Sequence, residues 1–282
     1  MRRRVAPYLL LGPGAAWLLL FFVVPLYYLG KLSLNAGVFG SYHFDWHWAN
    51  YNEALSLYDT QFVRSFTYAG LATLFALLLA YPLAYTIAFK AGRWRNVMLF
   101  AVVAPFFTTY LIRTLAWETI LSDQSPVVKV LDFVGLAPEG HVLATGGAVI
   151  AGLTYNFLPF MVLPIYASLE RIDVRLIEAG KDLYASASQT FFRVTLPLSA
   201  PGVVAGTLLT FIPASGDYVN AQFLGSASNQ MIGNVIQSLY LKQSDYPAAA
   251  ALSFVLMAAI LILVLIYIRF AGSEALMGEE AV

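Results

Sequence analysis

The chain contains no cysteine. A disulfide framework, a thiolate metal site and a cysteine nucleophile are therefore excluded. Charge is also scarce: Asp, Glu, Lys and Arg supply 11% of the 282 residues, where a soluble domain carries roughly 25%. Apolar residues supply 60%, and a globule of this size cannot hide that much apolar surface, whereas a lipid solvent removes the need to. Acidic and basic residues balance at 16 each, so the basic face of a nucleic-acid binder is missing and no nucleic acid is expected as a partner. Histidine occurs three times. His43 and His47 can share a helical face, but zinc takes three or four protein ligands, so no metal site is expected. The Trp and Tyr residues around them read as membrane-interface residues. No nucleophile–base pair or carboxylate dyad stands out, and no catalytic residue is expected. There is no G-x-x-x-x-G-K-[ST] phosphate loop: Gly180-Lys181 is followed by Asp182 where a Mg²⁺-binding hydroxyl is needed. Low-complexity tracts, Ser/Gly linkers and internal repeats are absent too.

What the sequence does have is long apolar runs. Six stretches, near 8–30, 65–89, 97–121, 143–167, 201–223 and 248–269, each match the roughly 20 residues needed to cross a bilayer core. The runs are continuous, as in L-L-L-F-F-V-V at 18–24, without the alternation of a membrane β-barrel. The expected fold class is an all-α polytopic membrane protein with six transmembrane helices. The first stretch follows Arg2, Arg3 and Arg4 like a signal peptide, but its apolar run is about twice a signal peptide's core and no cleavage site follows, so it reads as a retained helix.

With the N-terminus placed in the cytoplasm, eleven basic residues fall on the inner side: Arg2, Arg3, Arg4, Lys90, Arg93, Arg95, Arg171, Arg175, Lys181, Arg193 and Arg269. Three (Lys31, Lys129 and Lys242) fall in external loops. This positive-inside bias sets the orientation, with both termini cytoplasmic. The external loop at about 31–64 is polar and aromatic. The segment at about 168–200 is the only internal loop long enough to fold.

Residues 173–197 read D-V-R-L-I-E-A-G-K-D-L-Y-A-S-A-S-Q-T-F-F-R-V-T-L-P. Asp173 can cap a short helix running to about Tyr184. Ser186 with Gln189 has capping-box spacing for a second helix, which is expected to stop before Pro197. Leu176, Ile177, Leu183, Phe191, Phe192 and Val194 offer an apolar surface. Two short helices joined at a bend suit docking into a groove on a partner.

This segment resembles the EAA loop of ABC-importer membrane subunits, whose pattern is E-A-A, three residues, G, nine residues, I-x-L-P. Glu178 and Ala179 match, Val194 stands for the Ile, and Leu196 and Pro197 match in register. Gly180 replaces the second Ala, and Tyr184 replaces the Gly at the bend, where a non-Gly residue is disfavoured at positive φ. A-P-F-F-T-T-Y-L-I-R-T-L-A-W at 104–117, L-P-F-M-V-L-P-I-Y-A-S-L-E-R-I-D at 158–173, L-P-L-S-A-P-G-V-V-A-G at 196–206 and S-G-D-Y-V-N-A-Q-F-L-G at 215–225 look like spermidine/putrescine-type permeases. The resemblance covers nearly the whole chain. It implies a type I ABC importer permease fold in one permease domain over 1–282, in a bacterial inner membrane. It further implies a second permease subunit, two cytoplasmic ATPase subunits that bind ATP-Mg, and an extracytoplasmic solute-binding protein. No cofactor is expected on this chain. Glu178, Ala179, Gly180, Asp182, Tyr184, Leu196 and Pro197 would form the ATPase-coupling loop within 173–197.

Polar residues in the apolar stretches are the remaining signal. Arg113, Glu118, Asn156, Asp217 and Asn220 fall in or near hydrocarbon, where ionisable groups face a bundle interior or a wet cavity. Asp217 can offset the charge of a cationic solute, with Tyr218, Tyr155 and Trp117 as cation–π faces. Alternatively Asp217 pairs structurally with Arg113 or sits at an external helix end. Pro25, Pro82, Pro105, Pro159, Pro164 and Pro213 lie within spans as bends or hinges. The reading is an importer permease moving a small cation such as a polyamine by alternating access. Another small solute, or a secondary transporter or channel without an ATPase, is the alternative; an integral membrane enzyme would need a catalytic cluster that is not evident.

The orientation is testable in this cysteine-free chain. Single cysteines at Ser188 and Ser244 should react with membrane-impermeant maleimide from opposite sides, Ser244→Cys from outside. Labelling of Ser188→Cys in intact cells would overturn the assigned orientation.

Overall fold

The computed structural model describes residues 11–135 and 140–271. Apart from a two-residue antiparallel hairpin, β1 (Asn35–Ala36) with β2 (His43–Phe44), its regular structure is helical. In chain order the helices are α1 (Leu11–Ser33), α2 (Ala49–Leu57), α3 (Asp59–Phe89), α4 (Gly92–Phe107), α5 (Tyr110–Ile120) and α6 (Pro126–Phe133). There follow α7 (Gly146–Glu170), α8 (Val174–Asp182), α9 (Ala187–Ser215), α10 (Val219–Leu224), α11 (Ile232–Leu241) and α12 (Tyr246–Ala271). Five of them, α1, α3, α7, α9 and α12, are long and apolar enough to cross a membrane, and the bent pair α4–α5 makes a sixth span if counted as one. Residues 8–10 of the first expected stretch lie outside the described residues.

Three expectations need correction. The third span, read as one helix over 97–121, is broken: α4 and α5 meet at 96°. Pro105 lacks an amide donor and stands in the tight 3₁₀ turn that closes α4. Thr108 and Thr109 after it are extended, with ψ of 142° and 149°. The fifth span, read as 201–223, begins and ends earlier, at Ala187 and Ser215. Residues 216–218 interrupt it, and α10 restarts at Val219.

The third correction concerns Pro197. The helix starting at Ala187 was expected to stop before it but runs on into the fifth span. Residues Phe191–Thr195 widen into a π-helical turn, and the Leu196 amide bonds Phe191 O. A proline ring in a regular helix collides with the carbonyl four residues back, and the wider turn relieves that collision here. Leu196 keeps helical backbone, φ −64° and ψ −47°. The same device recurs in α1, where the π segment Leu19–Val23 precedes Pro25. Helices α3 and α7 continue through Pro82, Pro159 and Pro164.

The described residues gather into two compact units. In the first, whose described residues are 11–59 and 235–258, Asn50 Nδ2 donates to Ser33 O and Asn35 O, both at 2.9 Å, and so ties α2 to the end of α1. Phe44, Trp46, Trp48 and Tyr51 form a run of ring contacts at 5.0, 6.5 and 5.6 Å between centroids.

The second unit, whose described residues are 60–135, 140–234 and 259–271, is built around α7, the most buried of the long helices. One core cluster gathers Ala69 and Ala72 of α3, Val149, Leu153 and Phe157 of α7, and Leu224 and Met231. A second gathers Ala76, Ala80, Ala84 and Ile87 of α3 with Met161, Val162, Ile165 and Leu169 of α7. Helix α7 also pairs extensively with α9. It runs through G-V-V-A-G at 202–206, a small-xxx-small face that lets backbones approach in lipid. A Cβ on Gly202 would lie 2.5 Å from Pro164 O, and one on Gly206 would lie 2.9 Å from Met161 Sδ.

Gly202→Leu should therefore force α7 and α9 apart, at a cost of about 1–3 kcal/mol for overpacking. Thermal unfolding of the detergent-purified chain should show a lowered midpoint for Gly202→Leu, while Leu198→Ala on an exposed part of α9 leaves it within error. An unshifted Gly202→Leu midpoint would show that the two helices separate freely.

Candidate functional site

Two places carry the residues singled out above. The first is the segment between α7 and α9. Asp173 Oδ1 accepts from the Arg175 amide at 3.0 Å at the start of α8. Ser186 and Gln189 form the reciprocal capping box at the start of α9: the Gln189 amide donates to Ser186 Oγ and the Ser186 amide to Gln189 Oε1. Between them α8 ends in a Schellman turn. The Ala185 amide bonds Gly180 O at 3.1 Å, and Tyr184 takes the left-handed position with φ 58°. The backbone that glycine would supply freely is thus adopted by tyrosine, at a cost of roughly 1–2 kcal/mol.

The side chain of Tyr184 is 97% exposed. Glu178, Ala179 and Asp182 are exposed as well, and Leu176, Leu183 and Phe192 add exposed apolar surface. Gly180 is half-buried against Thr190, the first residue past its own helix that a Cβ would touch, at 3.3 Å. Leu196 is half-buried and Pro197 exposed on the continuing helix. Below this segment, Arg95 at the base of α4 is ion-paired with Glu170 and donates to the Tyr166 hydroxyl, both on the last turns of α7.

The second place lies where the broken spans meet. Asp217 sits in the 216–218 interruption and is buried. Its Oδ2 accepts from the Tyr110 hydroxyl at 2.5 Å, and Tyr110 is the first residue of α5 after the other interruption. Its Oδ1 accepts from the Asn220 amide at 2.8 Å and from Asn220 Nδ2 at 3.2 Å. Asn220 Nδ2 also donates to the Tyr110 hydroxyl at 2.6 Å, and Asn220 Oδ1 accepts from Asn156 Nδ2 of α7 at 3.1 Å. Asn156 Nδ2 reaches Thr114 Oγ1 of α5 at 3.3 Å.

Close backbone packing sets this geometry. A Cβ on Gly152 of α7 would lie 2.6 Å from Asn220 Oδ1, and one on Gly233 would lie 2.5 Å from Gly216 O. Asn234 Nδ2 holds Tyr218 O at 2.9 Å and fixes the interruption from its other side.

The four candidate pathway residues fall in two groups. Asp217 and the half-exposed Tyr218 belong to the interruption. Trp117 and Tyr155 make a tilted ring contact at 5.4 Å between centroids and line an apolar groove of about 630 Å³ with Phe75, Leu79, Ile150 and Leu158. Arg113 is buried and no ion pair joins it to Asp217 among the described residues. Its guanidinium lies over the rings of Phe106 at 4.8 Å and Tyr110 at 5.7 Å. The structural pairing of Arg113 with Asp217 weighed from sequence is not made.

What this arrangement of interrupted spans and a capped two-helix segment belongs to is decided by comparison with known proteins. Residues 13–273 match the model of the family described as binding-protein-dependent transport system inner membrane component. The chain belongs to that family. The spermidine/putrescine transport system permease protein PotB of Haemophilus influenzae is 37% identical over 257 residues, covering 90% of each chain. PotB of Escherichia coli strain K12 is 37% identical over 256 residues, covering 90% of this chain and 93% of its own. Among solved structures, a bacterial ABC transporter that imports the acidic polysaccharide alginate superposes with TM-score 0.74 over 96% of both chains at 20% identity, a likeness of fold.

As a member of the inner-membrane component family, the chain is an ABC importer permease subunit of type I fold and a transport subunit rather than an enzyme. Membership sets aside the secondary-transporter and membrane-enzyme readings. Sequence reasoning missed Tyr110, Thr114, Gly152 and Asn234. The signal available for Tyr110 was its place directly after Pro105 and the Thr108-Thr109 pair, a polar gap in an apolar run.

Tyr110→Phe removes one donor to Asp217 and one acceptor from Asn220 while keeping the ring under Arg113. Leaving a buried charged group short of a partner costs about 1–3 kcal/mol. The purified permease complex should lose thermal stability accordingly, and Tyr155→Phe, outside the cluster, should not. Equal midpoints for Tyr110→Phe and the parent would mean the bond to Asp217 carries no stability.

Proposed function

We propose that this permease moves a polyamine inward by alternating access, with Asp217 on the solute pathway and residues 173–197 as the ATPase-coupling loop. The observation that carries the solute assignment is the buried Asp217 carboxylate, held at two helix interruptions by neutral donors only. A carboxylate kept at such a depth is costly unless it serves a passing charge or a structural bond. The PotB relatives, spermidine/putrescine permeases by name, support the choice of cation. Tyr218 beside Asp217 and the Trp117–Tyr155 pair supply aromatic faces at two further positions along the route.

The chain acts as one permease domain in the inner membrane, termini inward, in contact with lipid. It pairs with a second permease subunit, receives solute from an extracytoplasmic binding protein, and rests on two ATPase subunits that hold ATP-Mg. Glu178, Ala179, Gly180, Asp182 and Tyr184 meet the ATPase from the α8 side, and Leu196 and Pro197 stiffen the departure of α9. The exposed apolar set Leu176, Leu183 and Phe192 favours an occupied groove over a solvated loop.

The test is uptake by the complete complex in vesicles. Glu178→Ala should insert and assemble but lose solute-stimulated ATP hydrolysis and transport, since a charge-assisted hydrogen bond is worth roughly 1.5–3 kcal/mol. Asp217→Asn keeps size and removes charge. It should assemble normally and import spermidine poorly. Wild-type uptake by well-assembled Asp217→Asn would remove Asp217 from the pathway; a fall in complex yield matched to the fall in uptake would make its role structural.

A further inference from the structure

Arg113 has no assigned role, and its surroundings are unusual for a guanidinium. It is 8% exposed, and its Nε and Nη1 are buried without a hydrogen-bond partner. A buried polar group is normally paired, and a buried charge more so. Here the cation rests only on π faces, those of Phe106 and Tyr110. One residue away stands the complementary defect. Asp217 is a buried carboxyl group with neutral partners: the Tyr110 hydroxyl, the Asn220 amide and Asn220 Nδ2.

Tyr110 touches both. Arg113 lies over its ring, and its hydroxyl bonds Asp217. Arg113 follows Tyr110 by three residues on α5, so both side chains leave the same helical face. Tyr110 thus stands between the guanidinium and the carboxylate, and the flexible arginine stem is what could carry the one to the other. Pairing would satisfy two unmatched charges and at least two orphaned N–H groups at once, in a fork geometry suited to a carboxylate. The opposing requirement is that nothing else cationic occupies Asp217.

We propose that Arg113 is a tethered cation that takes over the Asp217 carboxylate as a cationic solute leaves it. Solute and Arg113 compete for one anion, so each occupancy excludes the other. A solute on Asp217 keeps Arg113 on its aromatic rest, and the return of Arg113 expels the solute and prevents rebinding. Two mutually exclusive ligands of one group shift a two-state equilibrium by the difference in their affinities. The carboxylate can then bind a polycation well enough to admit it without holding it. This inference rests on the placement of Asp217 in the solute pathway.

The experiment compares Arg113→Gln, Arg113→Lys, Asp217→Asn and the double variant Arg113→Gln/Asp217→Asn. Each is assembled with the second permease, the ATPase and the binding protein in vesicles, and spermidine uptake is measured for KM and maximal rate. Arg113→Gln should lower both KM and maximal rate, by about tenfold in rate, because release fails while binding is relieved of its competitor. Arg113→Lys keeps a tethered cation and should recover part of the rate. In the Asp217→Asn background the glutamine should add no further loss.

An Arg113→Gln complex with unchanged or raised KM overturns the proposal. So does an equal loss of assembled complex in Arg113→Gln and Arg113→Lys that Asp217→Asn does not relieve, which makes Arg113 structural. If Asp217→Asn alone transports like the parent, the pathway reading fails and takes this inference with it. If Asp217→Asn is impaired while Arg113→Gln matches the parent, only the inference fails.

Discussion

The bond from Tyr110 to Asp217 is the contact on which the second unit depends. Two spans of this permease are interrupted, and each interruption strips backbone groups of their helical partners. In lipid such groups must be satisfied within the protein, so irregular backbone survives only where it is buried in protein or lines a cavity. Tyr110 opens α5 after one break and Asp217 lies in the other. Their side chains meet at 2.5 Å, Asn220 closes the triangle, and Asn156 fastens it to α7. Asp217 caps the restart of its own span through the Asn220 amide, and Tyr110 ties that turn to the other break.

Bringing the breaks together requires backbones to approach closely, and small residues on α7 and α9 permit it. Gly152 faces Asn220 and leaves no room for a methyl group. Gly202 and Gly206 seat α9 on α7 at Pro164 and Met161. Association of helices in lipid draws on such packing rather than on exclusion of water. The alanine face of α3, at Ala69, Ala72, Ala76, Ala80 and Ala84, does the same on the other side of α7.

Hydropathy made the number and rough position of the spans legible, because burial in lipid writes itself as composition. The capping box at Ser186 and Gln189 was legible for a similar reason: a local hydrogen bond needs only local spacing. The break at Thr108–Thr109 was not, since Pro82, Pro159 and Pro164 stand within unbroken helices while Pro105 closes one. Whether a proline ends a helix is decided by what can receive the freed groups, and those receivers come from other helices. Pro197 misled in the opposite sense. A π turn before it keeps the helix intact, and nothing in the local propensities announces such a turn. The cluster itself was half legible. Asp217, Asn220 and Asn156 stood out as polar residues in apolar runs, whereas Tyr110 is as common at interfaces as in cores and gave no sign of its partner.

The continuity of α9 gives the proposed coupling a mechanical form. Had the helix stopped before Pro197, movement of the loop would have been separated from the membrane part by a flexible joint. Instead one helix runs from the capping box at Ser186 to Ser215, 29 residues, or about 43 Å at the usual rise per residue. Its near end is fixed to α8 by the Tyr184 turn and the contact of Gly180 with Thr190. Its middle is seated on α7 by Gly202 and Gly206, and its far end delivers Asp217 to Tyr110. The π turn at Phe191–Thr195 and the prolines Pro201 and Pro213 are the points along it where such a helix can bend. A displacement at the loop that passes these points reaches the glycine seat, which leaves little room for sliding, and then the Asp217 interruption. The hydrogen-bonded junction of the two breaks lies at the end of that path, which is also where the proposed solute charge would be met.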